Sequence, residues 1–417
     1  MRSFSRRTLF ENGLLTIGST VAGTGIFSAI AASPALAATT SNSSSDAILV
    51  VLQLAGGNDG LHAVVPYTDA IYRQSRPTIA VDPTTVIKLN DKLGLNPYFA
   101  GLKPMLDSNQ LAIITNVGYP QPNLSHFQSQ YIWQTLDTTG AQGTSRTGWL
   151  GNYLHSVGAN NAQPFEGLDN GTQVATAFMS PGISVPAIAS TATFNITHKA
   201  GEDARTKTLL NLYQSFGQEN GSGPFGGLLQ NISQTTSSAT KELAAAVTTY
   251  KPAVTYPKSN LASSLQVIAT AITQKLGMRV GYASIGGFDT HANEVKTLET
   301  LYDEMGTSIA AFFADLKAQN ADQKVILMTW SEFGRRVHEN GSMGTDHGTA
   351  SPMFVMGPGV AGGVYGDAPD LTHLDASGNL VFKTDFRSVY GTIIDKWLGG
   401  NSATVLNGTY PTLNFLH

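Results

Sequence analysis

The sequence predicts an α/β fold in which helices cover both faces of a mostly parallel central sheet. Short, continuous apolar runs recur along the chain, and segments with apolar residues spaced three and four apart lie between them. Uninterrupted apolar runs are typical of strands buried on both faces, whereas the second spacing indicates helices that bury one face. Because the two patterns alternate, a parallel sheet with crossover helices is the expected arrangement.

Five apolar runs are predicted to be the strands of this sheet. They cover residues 46–54, 111–117, 278–285, 324–330 and 353–357. Helices are predicted between them, at residues 125–135, 261–276, 293–318 and 384–398.

The middle of the chain, at about 160–255, is rich in Thr, Ser, Asn and Gly, with helical patterns near 203–216 and 224–249. We interpret it as an insertion in a single domain that spans residues 46–417.

The first 37 residues have the pattern of a twin-arginine signal peptide. The motif SRRTLF precedes an apolar, glycine-rich run and a small-residue cleavage site that ends at Ala37. The alternative is a membrane anchor, but the glycines make the run poorly apolar for a permanent span. We therefore expect export by the twin-arginine route to the periplasm or cell exterior, a polar linker at 38–45, and no stable membrane span in the mature chain.

Composition excludes several kinds of site. The chain has no cysteine, so thiolate metal sites, disulfides and cysteine nucleophiles are excluded. Without residues 1–37 the chain keeps 22 basic and 28 acidic residues, a net charge of −6. That balance does not favour nucleic acid as a partner.

Polar side chains follow the predicted strands where ligands bind in open parallel sheets, at the carboxyl ends. These candidate site residues are Asp59, Ser125, Asp289, His291, Arg335, Asp346 and His347. Carboxylate and imidazole ligands suit Zn²⁺, Mn²⁺ or Fe. A serine at a helix start lies where backbone N–H groups favour an anion, and an arginine fork binds phosphate or sulfate oxygens.

Each of these features also has a structural reading. Asp59 could belong only to a turn, and the pair Asp289 and His291 could only cap the next helix. Likewise, Ser125 could be a helix cap and Arg335 a surface charge. The adjacent Asp346 and His347 could also be structural.

The order of the motifs resembles bacterial domain-of-unknown-function family 1501. The motifs are GGNDG, a Pro-x-x-Ser-His-Phe segment, GGFDTH, SEFGRR, GTDHG and TDFRSVY, and they span about 46–400. The family is in turn similar to the alkaline phosphatase/sulfatase superfamily, whose fold is an α/β sandwich with a two-metal site.

This resemblance implies roles for particular residues. Asp59 and the pair Asp346 and His347 would bind one metal ion, which Ser125 touches as the nucleophile. The other ion would be bound by Asp289 and His291.

The sequence also departs from the superfamily. Asp289 and His291 are two residues apart rather than four, and only His373 is offered as a further ligand of the second ion. The sulfatase signature is absent at residues 125–129, so a formylglycine sulfatase is not expected. His126 is interpreted as a packed neighbour of the site.

Two functions are compatible with these features. The first is a hydrolase of phosphate or sulfate esters that uses one or two divalent ions, Zn²⁺ or Mn²⁺, with Ser125 attacking and Arg335 orienting a small or polymer-borne ester substrate. The second is a non-catalytic exported binding or surface protein on a degenerate scaffold.

Overall fold

The structure, a computed structural model, describes residues 46–139, 145, 147–159, 163–189, 239, 242–243 and 245–417. The predicted signal peptide and linker lie outside the described residues. So do most of the insertion at about 160–255, the helix predicted near 203–216 and most of the helix predicted near 224–249.

In the described ranges, eight strands form the main sheet and three short ones form a separate sheet. The main-sheet strands are β1 (Ile48–Ala55), β5 (Leu111–Gly118), β6 (Gly167–Asp169), β7 (Val280–Gly286), β8 (Val325–Trp330), β9 (Ser351–Met356), β10 (Gly363–Tyr365) and β11 (Thr384–Asp385). The small antiparallel sheet contains β2 (Val64–Val65), β3 (Ile87–Lys88) and β4 (Gly94–Leu95).

The main sheet has the order β10-β5-β9-β8-β1-β7-β6, with β11 also paired to β5. Strand β1 is parallel to β7 and β8, whereas β9 is antiparallel to both β5 and β8. The predicted mostly parallel sheet is therefore confirmed, with one reversed strand. This reversal brings the amino end of β9 to the edge where β1, β5, β7 and β8 have their carboxyl ends.

Helices pack on both faces of this sheet, as predicted. They are α1 (Gly60–Ala63), α2 (Ala70–Ser75), α3 (Lys103–Asp107), α4 (His126–Thr135), α5 (Trp149–Ser156), α6 (Asn260–Thr273), α7 (Glu294–Ala318), α8 (Phe386–Lys396) and α9 (Ser402–Val405). Short 3₁₀ turns occur at Pro97–Leu102, Thr176–Phe178 and Asp322–Lys324.

Alternation along β1 determines which helices each face contacts. Val50 and Leu52 belong to the apolar core that includes α6 and α7. Leu49 and Val51 belong to the core on the other face, with α4, α5 and α8. Within the described ranges, no helix combines the length and the apolar character needed to cross a membrane.

Candidate metal centre

Three imidazole rings converge on the Asp289 carboxylate at the edge where β1, β7 and β8 end. His291 Nε2 and His347 Nε2 lie 3.1 and 3.2 Å from Asp289 Oδ1, and 3.0 Å from each other. His126 Nε2 lies 3.5 Å from Asp289 Oδ2. We call these four residues the exposed cluster, because the side chains of Asp289 and His291 are 49% and 46% exposed.

Three separate segments bring the exposed cluster together. Asp289 and His291 lie in the loop after β7, and His347 lies in the loop before the reversed strand β9. His126 is the first residue of α4. From the sequence, His126 is interpreted only as a packed neighbour of the site, and the structure shows that its ring belongs to the cluster. The one sequence signal for this is its position in the Ser-His-Phe motif, directly after the candidate residue Ser125.

The Nδ1 atom of each imidazole lies within hydrogen-bond distance of an oxygen acceptor outside the cluster. His347 Nδ1 lies 2.8 Å from the Leu124 carbonyl oxygen, His126 Nδ1 lies 2.8 Å from Glu332 Oε1, and His291 Nδ1 lies 3.2 Å from Asp346 Oδ1. A carbonyl oxygen can only accept, so His347 must carry its proton on Nδ1. In the neutral rings all three Nε2 lone pairs then face Asp289.

This arrangement fits a bound metal ion. Nitrogen and oxygen donors with bonds of about 2.0–2.2 Å to one ion stand roughly 3–3.5 Å apart. The three separations among His291 Nε2, His347 Nε2 and Asp289 Oδ1 fall at 3.0–3.2 Å. Histidine ligands in metal sites characteristically donate their second ring N–H to an oxygen, as here. Asp346 therefore lies behind His291 and orients its ring.

The electrostatic environment keeps Asp289 ionised. Partial burial works against the charge, but the hydrogen bond and the positive charge of Arg335 outweigh it and lower the pKa of Asp289 to about 2. Burial also lowers the pKa of His347, which favours the neutral ring that a metal requires.

Asp59 does not join the exposed cluster, which corrects the convergence predicted from the sequence. Its carboxylate accepts from both terminal nitrogens of the buried Arg76, at 3.0 Å for the Nη2–Oδ1 pair. Its Oδ1 also caps α1 by accepting from the N–H groups of Leu61 and His62, at 3.0 and 3.3 Å. The turn reading of Asp59 is the one that the structure supports.

Asp59, Arg76, His62 and Glu294 form a second group, which we call the buried cluster. All four residues are at most 2% exposed. Burial alone would raise the pKa of Asp59, but the Arg76 charge lowers it well below its usual range. Burial and the charge of Asp59 raise the pKa of Glu294, and burial lowers the pKa of His62 to about 4. The cluster thus consists of one ion pair with two neutral partners.

Arg335 has a different position from the one predicted for substrate binding. Its side chain is fully buried, and Nη2 donates to Asp289 Oδ1 at 2.7 Å. The same guanidinium donates to the carbonyl oxygens of Gly57, Phe288 and Thr345, at 2.7, 3.0 and 2.8 Å. Arg335 therefore holds Asp289 and the strand-end loops in place, and it is not available to bind a substrate oxyanion.

Ser125 is at the N-cap position of α4, but its hydroxyl makes no capping hydrogen bond. The residue is exposed, and the preceding carbonyl, of Leu124, is the acceptor for His347 Nδ1. The capping reading is therefore wrong for the Ser125 side chain. It is also wrong for the pair Asp289 and His291, because α7 begins at Glu294 with Asn293 at its N-cap.

His373, the further ligand considered from the sequence, lies elsewhere. Its side chain is 84% exposed, and its Nδ1 is 2.8 Å from Asp370 Oδ2 in a turn before β11.

Comparison of the main-chain fold finds solved structures of low similarity. The lipoteichoic acid synthase LtaP from Listeria monocytogenes is 7% identical, over 88% of this chain and 75% of that one, with a TM-score of 0.38. The PsFucS1 sulfatase from Pseudoalteromonas sp. is 13% identical, over 88% and 70%, with a TM-score of 0.38. The phosphonate monoester hydrolase SpPMH from Silicibacter pomeroyi is 11% identical, over 89% and 78%, with a TM-score of 0.33.

No curated protein sequence matches this chain. One family model does, and it is described as a protein of unknown function (DUF1501). The match runs over residues 108–386, which is more than half of the chain and includes every member of the exposed cluster. The chain therefore belongs to the DUF1501 family.

Proposed function

We propose that this protein is a metal-dependent hydrolase of phosphate or sulfate esters, with its ion held by Asp289, His291, His347 and His126. The observation that carries the proposal is the 3.0 Å approach of His291 Nε2 to His347 Nε2. Both atoms present lone pairs when their Nδ1 atoms donate, and both lie beside an ionised carboxylate oxygen. A cation between them relieves this repulsion and uses all three donors.

The exposed cluster supplies donors for one ion, and Zn²⁺ or Mn²⁺ fits its mixture of imidazole and carboxylate. Asp289 Oδ1 already accepts a hydrogen bond from Arg335 Nη2. A carboxylate oxygen has two lone pairs, so Oδ1 can accept from Arg335 and still face the ion. A bound divalent ion supplies Lewis acidity to the ester oxygens.

Ser125 is the group we assign as the nucleophile. Its uncapped hydroxyl stands at the start of the ten-residue α4, where the first-turn N–H groups and the helix dipole favour the anionic part of an ester. Attack by Ser125 Oγ on phosphorus or sulfur forms a serine ester and releases the alcohol. Water then cleaves the serine ester, which restores the hydroxyl and releases phosphate or sulfate.

The location belongs to the same proposal. The twin-arginine motif and the cleavage site at Ala37 favour export, so the enzyme would meet its small or polymer-borne ester in the periplasm or outside the cell.

The experiment compares three proteins loaded with Zn²⁺ or Mn²⁺ against an aryl phosphate, an aryl phosphodiester and an aryl sulfate. We expect turnover by the wild type and its loss in Ser125→Ala, with unchanged metal content. Ser108→Ala is the matched control, since this exposed serine precedes the amino end of β5 at the opposite edge of the sheet. Turnover that persists in Ser125→Ala would reject Ser125 as the nucleophile.

A second candidate, an exported binding protein on a degenerate scaffold, is favoured by the position of Asp59. The resemblance implied that Asp59 binds a metal ion, yet Arg76 takes both of its oxygens. This alternative predicts that the metal-loaded wild type turns over none of the three esters.

A further inference from the structure

Glu294 lies between the two loops that carry the exposed cluster. It is the first residue of α7, and its side chain is completely buried. One oxygen, Oε2, accepts from Thr290 Oγ1 at 3.1 Å and also from Thr345 Oγ1. A single atom of Glu294 therefore joins the loop after β7 to the loop before β9.

Each of these threonines is a sequence neighbour of metal-site residues. Thr290 lies between Asp289 and His291, and Thr345 directly precedes Asp346. The threonine side chains are buried, whereas those three neighbours are exposed. Because the chain joins each buried threonine directly to exposed residues, fixing the threonine side chain in the interior restricts where its neighbours point.

We call Glu294 with Thr290 and Thr345 the anchor. The backbones of the two loops are in direct contact around it. The Thr345 N–H donates to the Thr290 carbonyl oxygen at 3.1 Å, and the Glu294 N–H donates to the Met343 carbonyl oxygen at 2.9 Å. A Cβ atom at Gly344 would lie 2.4 Å from the His291 carbonyl carbon, so only glycine fits there. The loops therefore have little freedom to slide past each other while the anchor holds.

The surroundings of the second oxygen of Glu294, Oε1, indicate that the carboxyl group is protonated. No described residue donates to Oε1, although the atom is buried. Burial, then the charge of nearby Asp59, raises the pKa of Glu294. A proton on Oε1 can donate to the Asp59 carboxylate, which leaves Oε2 free to accept from both threonines.

We propose that Glu294 is a positioning residue that fixes the loops of the exposed cluster relative to each other through Thr290 and Thr345. In doing so it sets the spacing of His291 and His347. The relevance of this spacing to a metal ion rests on the proposed function, whereas the fixing of the loops does not.

Four variants of the mature chain test the proposal. Thr290→Val and Thr345→Val each remove one donor to Glu294 and keep the side-chain shape. Glu294→Gln keeps an acceptor for the threonines and a donor for Asp59, so it mimics the protonated carboxyl. Thr300→Val is the matched control, an exposed threonine on α7.

The first measurement is cobalt(II) affinity and the visible absorption of the cobalt protein, which reports the ligand arrangement. We expect each of Thr290→Val and Thr345→Val to weaken affinity on the order of 10-fold and to change the spectrum, as orienting groups behind metal ligands do. Glu294→Gln and Thr300→Val should match the wild type. Wild-type values in both valine variants, or a Glu294→Gln effect as large as theirs, would overturn the proposal.

The second measurement is amide hydrogen exchange in the metal-free protein, and it does not depend on the proposed function. Exchange at residues 286–291 and 342–347 should be faster in the two valine variants than in wild type, Glu294→Gln and Thr300→Val. If the wild type binds no cobalt(II), the proposed metal site is rejected. The exchange rates alone would then test whether Glu294 fixes the two loops. Unchanged exchange in both valine variants would reject it.

Discussion

The exposed cluster and the buried cluster contain the same kinds of side chain at the same edge of one sheet, but they differ in what balances the acid. In the buried cluster the Asp59 carboxylate has a fixed cation, Arg76, within hydrogen-bond distance. In the exposed cluster Asp289 shares one oxygen with Arg335, and three Nε2 atoms also face the carboxylate. The two acids thus differ in how fully a buried arginine occupies them: Arg76 bonds both oxygens of Asp59, whereas Arg335 bonds only Oδ1 of Asp289. Three changes break or sharpen this comparison.

The largest expected effect is the loss of the cation from the buried cluster. Arg76→Met leaves the buried Asp59 carboxylate without its cation, which typically costs about 3–5 kcal/mol of unfolding free energy. Denaturant unfolding of metal-free protein measures it, with the exposed Arg73→Met as the control. If both variants lose the same stability, Arg76 is not the cation that stabilises the buried Asp59 carboxylate.

A third carboxylate, Asp169, has no cationic side chain bonded to it among the described residues. Burial raises the pKa of Asp169 to about 7, although the Ala175 N–H donates to its Oδ2 at 2.7 Å. The folded state therefore keeps a proton that the unfolded chain, with a pKa of about 3.9, releases. Stability should fall as pH rises from about 4 to about 7 and then level off, by about 2–4 kcal/mol at roughly 1.4 kcal/mol per pKa unit.

Asp169→Asn should remove this part of the pH dependence, because an amide oxygen still accepts from Ala175 and never ionises. Unfolding free energies at pH 4.5 and pH 8 measure it, with Asp91→Asn at an exposed site as the control. An unchanged pH slope in Asp169→Asn would mean that Asp169 is already ionised in the folded state.

The third change separates the roles of the two clusters' histidines. His347→Ala should weaken cobalt(II) or zinc(II) binding on the order of 100-fold, since it removes a ligand, and should barely change metal-free stability. His62→Ala should do the reverse and cost about 1–3 kcal/mol of stability, because it empties a buried site. The exposed His373→Ala should change neither. Titration against a chelator and denaturant unfolding provide the two readouts.

Much of the fold could be predicted because its signals are local. The strands that became β1, β5, β7, β8 and β9 are continuous apolar runs, and the helices around them repeat at helical spacing. The reversal of β9 had no local signal, since an apolar run looks the same in either direction. The direction of β9 is decided by its antiparallel pairing with β5 and β8, which are distant in the sequence or separated from it by the loop that carries His347.

The site was harder to predict because partners distant in the sequence decide where each side chain points. Nothing near GGNDG indicates that Arg76 will fold back onto Asp59. Likewise, the SEFGRR motif does not reveal that Arg335 turns inward to backbone carbonyls. Asp289, His291 and His347 could be assigned to a common edge because each lies at a strand end. His126 could not, because its orientation depends on Glu332, which is 206 residues away in the sequence.

Because the exposed cluster is assembled from three distant segments, binding of the proposed ion should be linked to the folding equilibrium. His126, His347 and the Asp289 loop are brought together only when β7, β9 and α4 are in place, so the unfolded chain has no comparable chelating site. An ion that binds only the folded state raises its stability by about 2.7 kcal/mol at a free concentration 100 times the dissociation constant. The melting temperature of the protein should then rise with ion concentration. A chelator should lower it again, although no residue of the apolar core is changed.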